Sequence, residues 1–234
     1  MLTRVTHGTE AMPAALDRIR AARAASVDAI NAFAAAWYAA PYTWTSTNVW
    51  GAPAMKNPLD LQIYAELIGR RRPVTILETG TAWGGSALHF ALAQDIWNIE
   101  GGRVITIDVE PRDTRPSHPR ITYIQGSSTD PELMAAVLAE VRHPLLVSLD
   151  ADHAHAHVAA ELALIAPHVD VGEYLVVEDT NISWPDNRGA LGAVEDLLAA
   201  EPDCWVQDVW CERYWLTCHP GGWLQRRARP GAAR

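Results

Sequence analysis

The stretch ILETGTAWGGSALHF, residues 76–90, decides the fold. A short apolar run ends in an acid, Glu78, and Gly80, Gly84 and Gly85 follow within seven residues. An uninterrupted apolar run predicts a strand buried on both faces, and the pattern over 84–94 predicts a helix. Glycine at the first position lets the chain turn tightly, and glycine further on lets backbone N–H groups approach a ligand closely. The helix that follows presents the positive end of its dipole to the same place. In a doubly wound sheet, ligands bind there, outside the carboxyl ends of the strands.

Working outward, the same alternation continues. VTILE (74–78), RVITIDV (103–109), RITYIQG (120–126), PLLVSLD (144–150) and EYLVVED (173–179) read as strands, with helices predicted over 130–141, 153–166 and 189–200. Asp130 and Pro131 are a cap and a first-turn proline. CWVQDV (204–209) and YWLTC (214–218) are too close together for a crossover and predict an antiparallel pair. The fold class is therefore α/β: a Rossmann-like, doubly wound, mostly parallel seven-stranded sheet with a C-terminal antiparallel hairpin and an N-terminal helical extension. Residues 1–57 form that extension and an aromatic loop, 58–225 the main domain, opened by a helix over 58–70 with Pro58 in its first turn, and 226–234 a frayed basic tail.

Composition narrows the partners. The net charge of −9 disfavours a phosphate-backbone partner, so no nucleic acid is expected. No apolar run approaches the ~20 residues that span a bilayer, and the N-terminus has no uninterrupted apolar core, so neither membrane nor export is expected. Cys204, Cys211 and Cys218 are odd in number with no C-x-x-C pair, which favours reduced, half-buried strand residues and a cytoplasmic location.

The glycine turn is not a dinucleotide G-x-G-x-x-G, and no G-x-x-x-x-G-K-[ST] occurs. E-x-G-x-x-x-G instead suits a ligand with an ammonium group, as in S-adenosylmethionine; a tight strand–helix turn with no ligand is the alternative. Asp108 ends the second strand, where an acid can hydrogen-bond both hydroxyls of a ribose.

Asp150, Glu178 and Asp179 end the fourth and fifth strands at the same edge. Neighbouring carboxylates repel one another unless a cation neutralises them, and all-oxygen ligation favours Mg²⁺, then Mn²⁺ or Ca²⁺. Alternatively, one or two of them cap helices or pair with Arg188. His153, three residues past Asp150, can take a proton from a metal-bound hydroxyl, whereas His155 and His157 read as surface or supporting residues. Two of these histidines with one carboxylate would instead suit non-haem iron.

With these residues placed, the sequence resembles the cephalosporin hydroxylase-like family of class I S-adenosylmethionine-dependent methyltransferases, which includes metal-dependent rhamnosyl O-methyltransferases. The likeness runs from WGAPAMKNPLDLQIYAELI (50–68) through ILETGTAWGGSALHFA, VITIDVEPR, ITYIQGSSTDPE and SLDADHAHAHVAAELALIAPHVDVGEYLVVEDT to a late GGWL. The resemblance implies that Glu78, Gly80, Thr81, Gly84 and Ser86 bind the methionine moiety, Asp108 the ribose, and Ser127 the neighbourhood of the adenine. It implies that Asp150, Glu178 and Asp179 hold magnesium, with Asp150 also serving catalysis and the cofactor pocket and His153 in the position of the base. The implied activity is metal-dependent O-methyl transfer to a hydroxyl of a sugar or another small secondary metabolite, in natural product biosynthesis, by a homo-oligomer. An iron-dependent hydroxylase component and a non-catalytic cofactor-binding module are the competing readings. Trp44, Trp50, Trp83, Trp97 and Trp184 are expected around the acceptor pocket.

Overall fold

Residues 11–182 and 188–228 are described by the computed structural model. Two alanine-rich helices, α1 (Ala11–Ala25) and α2 (Val27–Ala39), stand outside the sheet. Arg23 of α1 pairs with Glu212, while α2 buries none of its residues and leaves Val27 and Phe33 exposed. A small hairpin, β1 (Asn48–Val49) with β2 (Ala52–Pro53), leads to α3 (Pro58–Arg71), whose first turn is capped by the Asn57 side chain accepting from Leu59 N–H at 3.0 Å.

The main domain then alternates: β3 (Thr75–Thr79), α4 (Gly85–Ile96), β4 (Arg103–Asp108), β5 (Ile121–Gln125), α5 (Pro131–Ala139), β6 (Leu145–Leu149), α6 (His155–Ile165), β7 (Tyr174–Val177), α7 (Ala190–Ala200), β8 (Trp205–Gln207) and β9 (Trp223–Arg226). Seven strands form one sheet in the order β5-β4-β3-β6-β7-β9-β8. The first five are parallel, and β9 runs antiparallel to both β7 and β8.

Strand alternation divides the core. Leu77, Ile105, Val147 and Leu175 face α5, α6 and α7, while Ile76, Val104, Leu146 and Val176 face α3 and α4. The sheet order reverses at β3, which pairs with β4 on one side and β6 on the other. The glycine turn after β3 and Asp150 after β6 therefore share one crevice.

The closing hairpin differs from expectation in its second strand. CWVQDV supplies β8, but its partner is WLQR at 223–226, not YWLTC. Trp215 has φ +72°, a left-handed conformation that breaks a strand, and the Cys218 N–H donates to Asp60 of α3 at 2.8 Å rather than to a neighbouring strand. The three cysteines are buried thiols outside any disulfide, and none lies on a strand. Arg226 belongs to β9, donating to the carbonyls of Ala166, Pro167 and Val169.

Candidate active site

The turn from β3 into α4 is built on close backbone approach. Gly80, at φ +83°, donates its N–H to the Ile107 carbonyl at 2.9 Å, and a Cβ there would lie 1.8 Å from the Asp150 carbonyl oxygen. Only glycine fits. A Cβ on Gly85 would lie 2.4 Å from the Pro53 carbonyl oxygen, so the segment after β2 is packed against the start of α4. Gly80→Ala is expected to cost more than about 1 kcal/mol, from left-handed strain plus the clash, and to lower Tm by about 2–4 °C or more. An unchanged melting curve would show that the turn relaxes freely.

Behind this turn Glu78 is fully buried, with Oε2 accepting from Thr106 Oγ1 at 2.6 Å and Oε1 without a hydrogen-bond partner among the described residues. Burial pushes its carboxyl up to about 7, against the opposing pull of Lys56, Ser86 and Thr106. An orphaned carboxylate oxygen beneath a glycine turn fits an ammonium-bearing ligand. The Asp108 carboxylate accepts from the N–H groups of Ala82 at 2.8 Å and Glu110 at 2.9 Å, and pairs with Arg115 at 3.3 Å.

A cavity of about 640 Å³ opens over the crevice. Gly80, Thr81, Ser86, Asp108, Ser127 and Asp150 line it, together with His153, His157, Asp179, Ile182, Met55, Trp44 and Trp83. Glu78, Gly84 and Glu178 are not among its lining residues. Trp83 carries the Arg112 guanidinium 4.5 Å over its ring. Trp50 is exposed at the β1–β2 turn, Trp97 packs against Gly69 of α3, and Trp184 lies outside the described residues. Positive φ values at Met55, Ala82 and Asp179 concentrate backbone strain on the walls.

The structure regroups the expected metal-binding acids. Asp150, His153 and Asp179 offer ligand atoms that all lie within 4.8 Å of one another, with His153 Nε2 3.2 Å from Asp179 Oδ2. Glu178 is not part of this group. It is 1 % exposed; Oε1 accepts from Tyr64 at 2.7 Å and Ser148 at 2.6 Å, and Oε2 from Lys56 at 2.6 Å. The reason is electrostatic: burial raises the cost of an ionised Glu178, but the Lys56 ammonium beside it holds its carboxyl down, to about 2. Lys56 Nζ also donates to Asp150 Oδ2 at 2.6 Å.

The two carboxylates of this group are donors that suit a divalent cation such as Mg²⁺ or Mn²⁺, and the imidazole stands beside them. The iron alternative needs a second histidine in the cluster, and among the described residues none stands there. His155 engages Asp196 at 2.8 Å and Arg188, while His157 lies 3.2 Å from Ser128 and 3.6 Å from Glu161. Arg188 reaches Asp196 and His155 rather than the acids at the strand ends. Lys56, Tyr64 and His219, whose ring Nε2 is 3.3 Å from Glu178 Oε2, were not legible as site residues, because each arrives from a distant part of the chain.

Comparison with known proteins places the chain among methyltransferases. The family described as Rhamnosyl O-methyltransferase/CmcI matches residues 41–227. A rhamnosyl O-methyltransferase from Mycobacterium tuberculosis is 32% identical over 209 residues, covering 81% of this chain and 82% of its own length. Its counterpart from Mycobacterium leprae is 32% identical over 203 residues, covering 82% and 88%. Among solved structures, CmcI with Mg and SAM superposes with a TM-score of 0.63 at 25% identity, over 79% of this chain and 78% of that one. The chain belongs to the rhamnosyl O-methyltransferase/CmcI family of S-adenosylmethionine-dependent methyltransferases.

Proposed function

We propose that this chain methylates a hydroxyl of a sugar carried on a small molecule, with a divalent cation held by the Asp150 and Asp179 carboxylates beside His153. One observation carries the reading: the glycine turn and this donor cluster line the same cavity. The names of its relatives support a sugar acceptor. When bound, S-adenosylmethionine supplies the electrophilic methyl group, and the cation supplies positive charge beside the acceptor oxygen.

The rest falls to the protein. Glu78 holds the ammonium of the donor through its unpartnered oxygen, and Asp108 and Ser127 position the ribose and the adenine. Asp179 orients the His153 ring, which takes the proton from the acceptor hydroxyl as the oxygen attacks. Trp44, Met55 and Ile182 give the cavity an apolar side on which a sugar face can rest. In-line placement of donor and acceptor accounts for much of the acceleration. The decisive experiment incubates the protein with S-adenosylmethionine, Mg²⁺ and a panel of rhamnosyl and other glycosides, reading methylated product by mass spectrometry. Methylation confined to non-sugar acceptors, or none at all, would overturn the proposal.

Glu78 makes the reading sensitive to pH. A carboxyl that ionises near pH 7 in the free protein is about nine-tenths protonated one unit lower, so S-adenosylhomocysteine should bind about 10-fold more weakly at pH 6 than at pH 8. For the unliganded fold the sign is opposite. The native state keeps this proton longer than the unfolded chain, so the group's contribution to stability falls as pH rises from the ordinary carboxyl range to about 7. Calorimetric titration at the two pH values tests the binding half, and Glu78→Gln should flatten the difference. A flat wild-type profile removes Glu78 from donor binding.

A further inference from the structure

Lys56 is the only lysine among the 19 basic Lys and Arg residues of the chain. It is 4 % exposed and does not line the cavity. Its backbone is fixed on both sides: the preceding segment packs against Gly85, and the next residue, Asn57, donates from Nδ2 to the Leu216 carbonyl at 3.1 Å while capping α3. The ammonium sits 2.6 Å from Asp150 Oδ2 and 2.6 Å from Glu178 Oε2. A compact point charge bridges two carboxylates here, a task for which a planar guanidinium fork is poorly shaped.

We infer that Lys56 is a positioning residue of the cation site: it ties Asp150 to the buried Glu178, presenting Asp150 beside His153 and Asp179 while keeping Glu178 out of that cluster. The inference rests on the metal-assisted reading above. Charge supports it when all three acids are ionised, because the one ammonium then leaves two negative charges, which one divalent cation neutralises. Without Lys56, Glu178 keeps only neutral donors and His219, and Asp150 loses the contact that fixes its carboxylate.

The test compares Mn²⁺ affinity, read from the free-ion electron paramagnetic resonance signal, with S-adenosylhomocysteine affinity by calorimetry. Lys56→Met should weaken Mn²⁺ binding about 10–100-fold, as for loss of an outer-shell partner, with a smaller loss of S-adenosylhomocysteine affinity at pH 8 because Lys56 also helps keep Glu78 ionised. Turnover should then recover as Mg²⁺ is raised, a defect in apparent metal KM rather than in kcat. Unchanged or tighter Mn²⁺ binding overturns the inference, tighter binding meaning that a freed Glu178 becomes a ligand. If Lys56→Met fails to fold, Lys56→Met with Glu178→Gln removes both members of the buried pair, and the same loss of Mn²⁺ affinity is expected. A second readout needs no substitution: in protein labelled with ¹⁵N-lysine the single side-chain ammonium resonance should broaden when Mn²⁺ is added, and a signal that stays sharp at saturation overturns the placement. A wild type that binds no Mn²⁺ sinks the metal reading and this inference together; normal wild-type binding with an unaffected variant sinks the inference alone.

Discussion

His153→Ala is expected to lower turnover about 10²–10⁴-fold, the span that removal of a general base produces, while S-adenosylhomocysteine binds with its wild-type affinity. The split follows from position. His153 lines the cavity beside Asp179, at the junction between β6 and α6, whereas the orphaned Glu78 oxygen and the Gly80 turn belong to β3 and the start of α4. The ring occurs in the cation cluster and in the proton-accepting position, and the two roles separate experimentally. As a base, its loss lowers kcat and kcat/KM together and leaves Mn²⁺ affinity near wild type. As a ligand, its loss weakens Mn²⁺ and is compensated by raised metal. Undiminished turnover in His153→Ala would remove this residue from the mechanism altogether.

How much of this was legible beforehand depends on how local the determinants are. The β3–α4 unit could be read directly, because a continuous apolar run, a glycine turn and an amphipathic helix are each set by near neighbours. The same holds for Asp150 and Asp179, which end strands whose register follows from the parallel pairing. The closing hairpin was misplaced because YWLTC carries a strand-like pattern that tertiary contacts override: Leu216, Thr217 and Cys218 are buried against α3, and Asp60 takes the Cys218 N–H. Glu178 was legible as an acid at a strand end, but not its orientation. That is decided by Lys56, 122 residues away, together with Tyr64 and Ser148. A lone lysine in a chain otherwise stocked with arginine was the available signal, and its meaning needed the partner carboxylates to be placed first.

Asp179→Asn should have the second large effect, and it isolates charge from shape. Asp179 has φ +54°, a left-handed conformation that asparagine tolerates nearly as well as aspartate, so the substitution keeps the backbone and deletes one negative charge. Asp150 is then the one carboxylate left in the group, and the His153 ring loses its carboxylate partner. Since loss of an outer-shell partner alone costs about 10–100-fold, loss of a ligand should weaken Mn²⁺ binding by at least about 100-fold and depress turnover correspondingly at fixed Mg²⁺. Chelation of the wild type by EDTA should reproduce the loss of turnover, and added Mg²⁺ should reverse it. Glu178→Gln provides the contrast. Its carboxylate already serves Lys56, Tyr64 and Ser148, so thermal stability should suffer before cation affinity does. Were Glu178→Gln to abolish Mn²⁺ binding while Asp179→Asn left it intact, the cation would belong on the buried side of Asp150. Full activity of EDTA-treated wild type would dispense with the cation entirely.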